Sequence, residues 1–159
     1  MKILLDSNSI PFIYDNIETI KKIDNIDFYI LPSQENEIDK HLGIRKHKIL
    51  KDTLKIYKVK QTAGVFFLNV FNINVPRYFV DTNTEKTIKN TLLVHNCNHK
   101  GQENFMADFD IAYSAYCNDY TVLTNDGAGK KDGLYRALKE LNIQCLSHEE
   151  FKSFIKFKI

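Results

Sequence analysis

Four acidic residues are spaced along the chain so that they could form one site: Asp6, Glu37, Asp108 and Asp126. Carboxylates gathered at one sheet edge repel each other, at a cost of about 1 to 4 kcal/mol for each close pair. A hard divalent cation relieves that repulsion, and an all-oxygen shell suits Mg²⁺ or Mn²⁺ better than zinc. Bound Mg²⁺ can activate a water molecule for attack on a phosphodiester and stabilise the negative transition state.

Asp6 and Asp126 each follow a predicted strand. Lys2–Leu5 is a short apolar run typical of a central parallel strand, and Tyr120–Thr124 has the β-branched, apolar character of another. Ligand sites of open α/β sheets lie at the carboxyl ends of such strands. The alternative is that the segment Asn125–Gly127 is only a turn.

Asp108 lies on a predicted helix that ends at Asn118. At helical spacing it shares a face with Ile111, Ala112 and Ala115, whose modest size would let the helix lie close to a sheet. The same spacing predicts that Asp110 is exposed. The alternative for Asp108 is that it caps a helix.

Glu37 lies near the beginning of a second predicted helix, for which Ser33 is a plausible N-cap. Its spacing from Ile38 and Leu42 places it at the border of the buried face, whereas Glu35 is predicted to be exposed. Taken alone, either glutamate would be explained by favourable interaction with the helix dipole.

Strands alternate with helices along the chain, which predicts an α/β fold. The expected architecture is a three-layer α/β/α sandwich around a central, mainly parallel sheet. The length of 159 residues fits a single domain spanning 1–159. The region at about 44–100 is the least readable, and within it residues 63–83 fit either the end of a buried helix or an extra strand.

Positive charge is concentrated between Lys40 and Lys60. This stretch contains eight basic residues and one acidic residue, Asp52. The pattern from Ile44 to Tyr57 predicts a helix with basic residues opposite its apolar face. Such residues could contact nucleic-acid phosphates, or could simply form a solvated surface. The candidates for phosphate contact are Arg45, Lys48, Lys51, Lys55 and Lys58.

Composition favours an intracellular globular protein. The three cysteines are too few and too scattered for a disulfide framework, so a reducing cytoplasm is expected. Asp6 interrupts the first apolar run, so no signal peptide is predicted, and no stretch is long enough to span a membrane. The segment Gly127–Lys130 lacks the full pattern of a phosphate-binding loop. The segment His95–His99 offers three closely spaced zinc ligands without a fourth, so a polar loop is preferred there.

In their order and spacing, these motifs resemble the PIN-domain ribonucleases. The opening Ile-Leu-Leu-Asp6-Ser-Asn-Ser is similar to the family's first strand and aspartate, and Pro-Ser-Gln-Glu-Asn-Glu37-Ile is similar to its helix glutamate. Residues 108–126 (DFDIAYSAYCNDYTVLTND) resemble its most recognisable segment, and residues 141–151 resemble its closing strand and helix. Ala128 stands where members often carry another acid, so a second metal does not follow from the resemblance.

The resemblance implies a Mg²⁺- or Mn²⁺-dependent endoribonuclease whose products carry a 3′-hydroxyl and a 5′-phosphate. Asp6, Asp108 and Asp126 would contact the metal directly or through water, and Glu37 would bind the metal or orient the attacking water. The expected supporting residues behind these acids are Asn8 and Asn125.

The expected partners are an RNA substrate and, if the chain is a VapC-like toxin, an antitoxin protein; a homodimer is also compatible. Two other functions fit the same acids. One is a structure-specific DNA nuclease, which a larger arch-like element would favour. The other is a catalytically silent PIN-like RNA-binding or scaffold protein.

Overall fold

The structure is a computed structural model that describes residues 1–59, 82–97 and 101–157. Within these ranges the strands are β1 (Lys2–Leu5), β2 (Asp27–Ile30), β3 (Ile56–Lys58), β4 (Thr121–Leu123) and β5 (Cys145–Leu146). The helices are α1 (Ser9–Asp15), α2 (Ile17–Ile20), α3 (Glu35–Leu42), α4 (Ile44–Thr53), α5 (Thr82–Val94), α6 (Gln102–Asn118), α7 (Leu134–Glu140) and α8 (His148–Lys156). A 3₁₀ turn at Pro32–Gln34 precedes α3.

The five strands form one parallel sheet in the order β3-β2-β1-β4-β5. Helices cover both faces of the sheet. Side chains that alternate along β1 therefore enter two separate cores. Leu4 packs into a core with residues of α5, α6 and α7. Ile3 and Leu5 pack into the other core, with residues of α1, α3 and α8. The predicted α/β class with a parallel central sheet is therefore confirmed.

The strand order reverses beside β1. The chain passes from β1 to β2 and β3 on one side, then crosses to β4 and β5 on the other side. Leu5 of β1 is in register with Leu123 of β4. The carboxyl ends of these two strands therefore form the switch point where open parallel sheets bind ligands.

One predicted helix differs from the structure. The helix expected to reach Tyr57 ends at Thr53, and Ile56–Lys58 instead forms β3 against β2. The tertiary pairing with β2 prevails over the helical pattern because it satisfies the backbone hydrogen-bonding groups of this segment and half-buries Ile56 against the sheet.

Ser33, the predicted N-cap, lies within the 3₁₀ turn instead, and α3 begins at Glu35. The terminal helix α8 begins with a capping box, in which the Ser147 side chain accepts from the Glu150 backbone N–H. The least readable segment, residues 63–83, falls almost entirely outside the described residues. Within the part of the chain that the structure describes, we find no helix with the length and apolar character needed to cross a membrane.

Candidate active site at the switch point

Asp6 occupies the carboxyl end of β1 and is almost fully buried, with 8% of its surface exposed. Its backbone N–H donates to the carbonyl of Leu123 at 3.1 Å, which fixes it against the end of β4. Oδ2 of Asp6 accepts two side-chain hydrogen bonds, from Thr124 Oγ1 at 2.6 Å and from Asn8 Nδ2 at 2.5 Å. The Asp6 carboxylate is therefore held in one orientation by the ends of two neighbouring strands.

Asp126 lies just beyond β4 and is half-buried. Its backbone N–H donates to Thr124 Oγ1 at 3.1 Å, and its Oδ2 accepts from the backbone N–H of Leu134 at 3.2 Å. The Thr124 hydroxyl thus accepts from the Asp126 backbone while it donates to the Asp6 carboxylate. One buried side chain links the two acids.

The two acids also interact electrostatically. Burial raises the pKa of Asp6 above its ordinary value of 3.8, and the negative charge of Asp126 raises it further. The hydrogen bonds from Thr124 and Asn8 oppose this effect because they stabilise the charged form. A cation bound between the two acids would favour ionised Asp6 and remove the repulsion.

The two predicted supporting asparagines take different positions. Asn8 contacts the Asp6 carboxylate directly, and its Oδ1 accepts from the Asn125 backbone N–H at 3.4 Å. Asn125 is exposed and reaches this network through its backbone. Asn8 thus also connects Asp6 with the loop after β4.

Asp108 lies within α6, six residues after the helix begins, so it is not a helix cap. Its side chain is half-buried. Glu37 lies within α3, but its side chain is outside the described part of the structure. Among the described side chains, no three from His, Cys, Asp and Glu form a group that could hold a metal ion. The geometry therefore brings Asp6 and Asp126 together, and leaves the participation of Asp108 and Glu37 as a prediction.

The prediction that Asp110 is exposed is wrong. Only 8% of its surface is exposed, and burial raises the pKa of its carboxyl to about 7 from 3.8. The face assignment failed because every residue of α6 from Phe109 to Ala115 is buried, so the helix does not have a single apolar stripe.

The prediction that Glu35 is exposed is also wrong. Its side chain is half-buried and forms ion pairs with Lys51 at 2.8 Å and with Lys58 at 2.6 Å. The hydrogen bond from Lys51 has the largest effect on the pKa of Glu35, and together with that from Lys58 it lowers this pKa to about 2. Glu35 therefore joins α3 to α4 and β3.

The predicted basic helical face is not continuous. Lys55 and Lys58 lie beyond the end of α4, with Lys58 in β3. Lys51 and Lys58 are already paired with Glu35. Arg45, Lys48 and Lys55 are exposed. All five candidates for phosphate contact are thus exposed, and two of them, Lys51 and Lys58, already pair with a carboxylate.

Sequence reasoning missed two polar residues that build the site, Thr124 and Gln34. Thr124 was assigned to a strand because it is β-branched. The strand pattern of Tyr120–Thr124 does not reveal where the Thr124 hydroxyl points. Gln34 donates to the Leu5 carbonyl at 3.0 Å. Ser9 donates to the Leu123 carbonyl at 2.9 Å, and its Oγ lies 2.9 Å from His148 Nε2. Each buried polar group is satisfied by a strand end that is distant in sequence.

The segment His95–His99, which offers three possible zinc ligands, is described only in part. His95 Nε2 lies 2.7 Å from a carboxylate oxygen of Glu140, and Cys97 is buried. His99 lies outside the described residues. The described part of this segment therefore connects to α7 through His95.

Comparison with known proteins does not assign a family. The chain matches no protein-family model, and a search of curated proteins gives no significant match. The resemblance to PIN-domain ribonucleases consequently depends on the motifs themselves.

Proposed function

We propose that this protein is a metal-dependent endoribonuclease of the PIN class. The observation that carries the proposal is the pair of acids, Asp6 and Asp126, at the carboxyl ends of adjacent strands where the sheet order reverses. The Thr124 hydroxyl links them, and the Asp126 charge raises the pKa of Asp6. A buried acid whose pKa is raised by burial and by a neighbouring acid at a ligand-binding edge is typical of functional sites, and a bound cation would remove the repulsion.

The donor set fits Mg²⁺ or Mn²⁺. The side chains that face each other here offer carboxylate, hydroxyl and amide oxygens, which hard divalent cations prefer. Asp6 and Asp126 would hold the ion, and we propose that Asp108 and Glu37 complete the site. When bound, the ion would activate water and stabilise charge on the phosphodiester.

The remaining residues of the site orient the acids. Thr124 and Asn8 hold the Asp6 carboxylate in place, and the Leu134 backbone N–H holds that of Asp126. Such fixed orientation lowers the reorganisation needed to bind an ion in a productive position. The exposed basic residues Arg45 and Lys48 would attract the RNA backbone toward an otherwise acidic site.

A test follows from the linkage between metal binding and folding. If the acids bind Mg²⁺, a hundredfold excess over Kd should stabilise the folded protein by about 2.7 kcal/mol, which raises Tm by several degrees. Asp6→Asn should abolish both this shift and RNA cleavage. Asp119→Asn is the matched control, because Asp119 is exposed at the end of α6.

The cleavage assay should use RNA and DNA oligonucleotides in parallel, with and without EDTA. Cleavage of RNA that EDTA stops would support the proposal, and full RNA cleavage in excess EDTA would refute the mechanism. Cleavage confined to DNA would indicate the structure-specific DNA nuclease. Metal-dependent stabilisation and RNA binding without cleavage would indicate the silent RNA-binding or scaffold protein. A role as a toxin would additionally require a protein that binds the chain and inhibits cleavage.

A further inference from the structure

A cavity of about 420 Å³ lies between the 3₁₀ turn at Pro32–Gln34 and the first half of α6. This volume is within the range of small-molecule sites, which is about 300 to 1,000 Å³. Much of its wall is apolar and comes from Leu31, Met106, Ala107 and Ile111. Flat apolar and aromatic groups can pack against such walls.

Asp110 supplies a buried polar group on the wall of this cavity. Only 8% of its surface is exposed, and among the described residues none donates a hydrogen bond to its carboxyl group. Buried polar groups are usually satisfied, so a buried carboxyl group on a cavity wall, without a donor among the described residues, is suited to a ligand that donates hydrogen bonds.

The cavity adjoins the acid pair through Gln34, whose side chain forms part of the wall. Its Nε2 donates to the Leu5 carbonyl at 3.0 Å and to Ser7 Oγ at 3.3 Å, on either side of Asp6. Its Oε1 accepts from the Leu31 backbone N–H at 2.8 Å. Gln34 is therefore a rigid partition between the cavity and the carboxyl end of β1.

We propose that this cavity binds one unpaired guanine base of the RNA substrate, with the Asp110 carboxylate accepting hydrogen bonds from guanine N1–H and N2–H. This inference rests on the proposed ribonuclease function for its choice of ligand. Single-stranded RNA is read by bases that leave the stack and enter pockets of this kind. Two side-by-side acceptor oxygens match two side-by-side N–H donors. Among the four standard bases, guanine alone presents such a pair on its Watson–Crick edge.

The test measures base preference without cleavage. Fluorescence anisotropy in EDTA at pH 8.5, where Asp110 is ionised, would compare RNA pentanucleotides of four uridines around a central guanosine, inosine or adenosine. Inosine lacks the N2 amino group, and a hydrogen bond to a charged group contributes enough that the guanosine oligonucleotide should bind about tenfold more tightly or better. Asp110→Asn should remove this preference, because an amide offers one donor and one acceptor. Asp119→Asn should retain it.

A second variant tests the cavity itself. Ala107→Leu extends a side chain into the cavity from its helical wall, so the guanosine preference should disappear while the fold is retained. Circular dichroism melting of each variant would verify folding. Equal binding of guanosine and inosine by the unaltered protein, or a preference that survives Asp110→Asn, would overturn the proposal.

The two proposals can fail separately. Guanosine preference in EDTA without any metal-dependent cleavage would support the base pocket and contradict the ribonuclease. Metal-dependent RNA cleavage without any base preference would support the ribonuclease and contradict the pocket.

Discussion

Replacing Asp110 by asparagine should stabilise the protein, and the gain should grow with pH. Burial raises the pKa of this carboxyl to about 7 from 3.8. Between those two values the unfolded chain has released its proton while the folded protein keeps it. The folded state then binds more protons than the unfolded state, so the free energy of unfolding falls as pH rises. Asparagine cannot ionise and avoids this loss.

The magnitude follows from the size of the pKa shift. A shift of about three pH units at 1.36 kcal/mol per unit gives a ceiling of roughly 4 kcal/mol for the destabilisation by ionised Asp110. The carboxyl lines a cavity that water can enter, so we expect about 2 kcal/mol after solvent screening. Below pH 4 the loss is absent, and above pH 7 it is complete.

Urea unfolding at a series of pH values from 4 to 8.5 would measure this difference. The stability of Asp110→Asn relative to the unaltered protein should be near zero at pH 4 and favour the variant by about 2 kcal/mol at pH 8. Other titrating acids, including Asp6, are common to both proteins and cancel. Asp119→Asn should show no such trend, since Asp119 is exposed. A stability difference that does not change with pH would contradict the raised pKa of Asp110.

Two further predictions concern the site and the loop behind it. Thr124→Val keeps the side-chain shape but removes the hydroxyl that donates to Asp6, so the pKa of Asp6 should rise further and Mg²⁺ should bind several-fold more weakly. Calorimetric titration with Mg²⁺ measures this, and unchanged affinity would contradict the role of Thr124. Gly127→Ala should destabilise the protein by more than about 2 kcal/mol, because its Cβ would lie 2.3 Å from a backbone oxygen across the loop at a φ of +83°. Gly129→Ala, at a φ of +74° with open space around it, should cost only about 1 kcal/mol, and equal losses in denaturant unfolding would disprove the crowding argument.

The sequence alone was sufficient to place several elements of the fold. The apolar run of β1 and the serine cap of α8 are local signals, because strand burial and helix capping depend on residues close together in the chain. The positions of Asp6 and Asp126 directly after strands were predictable for the same reason. Alternation of strands and helices was sufficient to predict a parallel sheet.

Helix faces were less predictable, and α6 shows why. A periodic pattern assigns one buried stripe, but α6 is buried on nearly all sides from Phe109 to Ala115. Asp110 is therefore buried, although the helical pattern predicts that it is exposed. The pairing of Ile56–Lys58 with β2 similarly depends on contacts between segments distant in sequence. Local periodicity contains no information about such neighbours.

The assembled site was decided by the tertiary structure. Only the strand order places the end of β1 beside the end of β4, and so brings Asp6 next to Asp126. The Thr124 hydroxyl reaches the Asp6 carboxylate across 118 positions of sequence. Residue types determine which chemistry is available, because charge and hydrogen-bonding capacity belong to single side chains. The distances between those side chains belong to the packing of the whole sheet, and they determine which acids can share one cation.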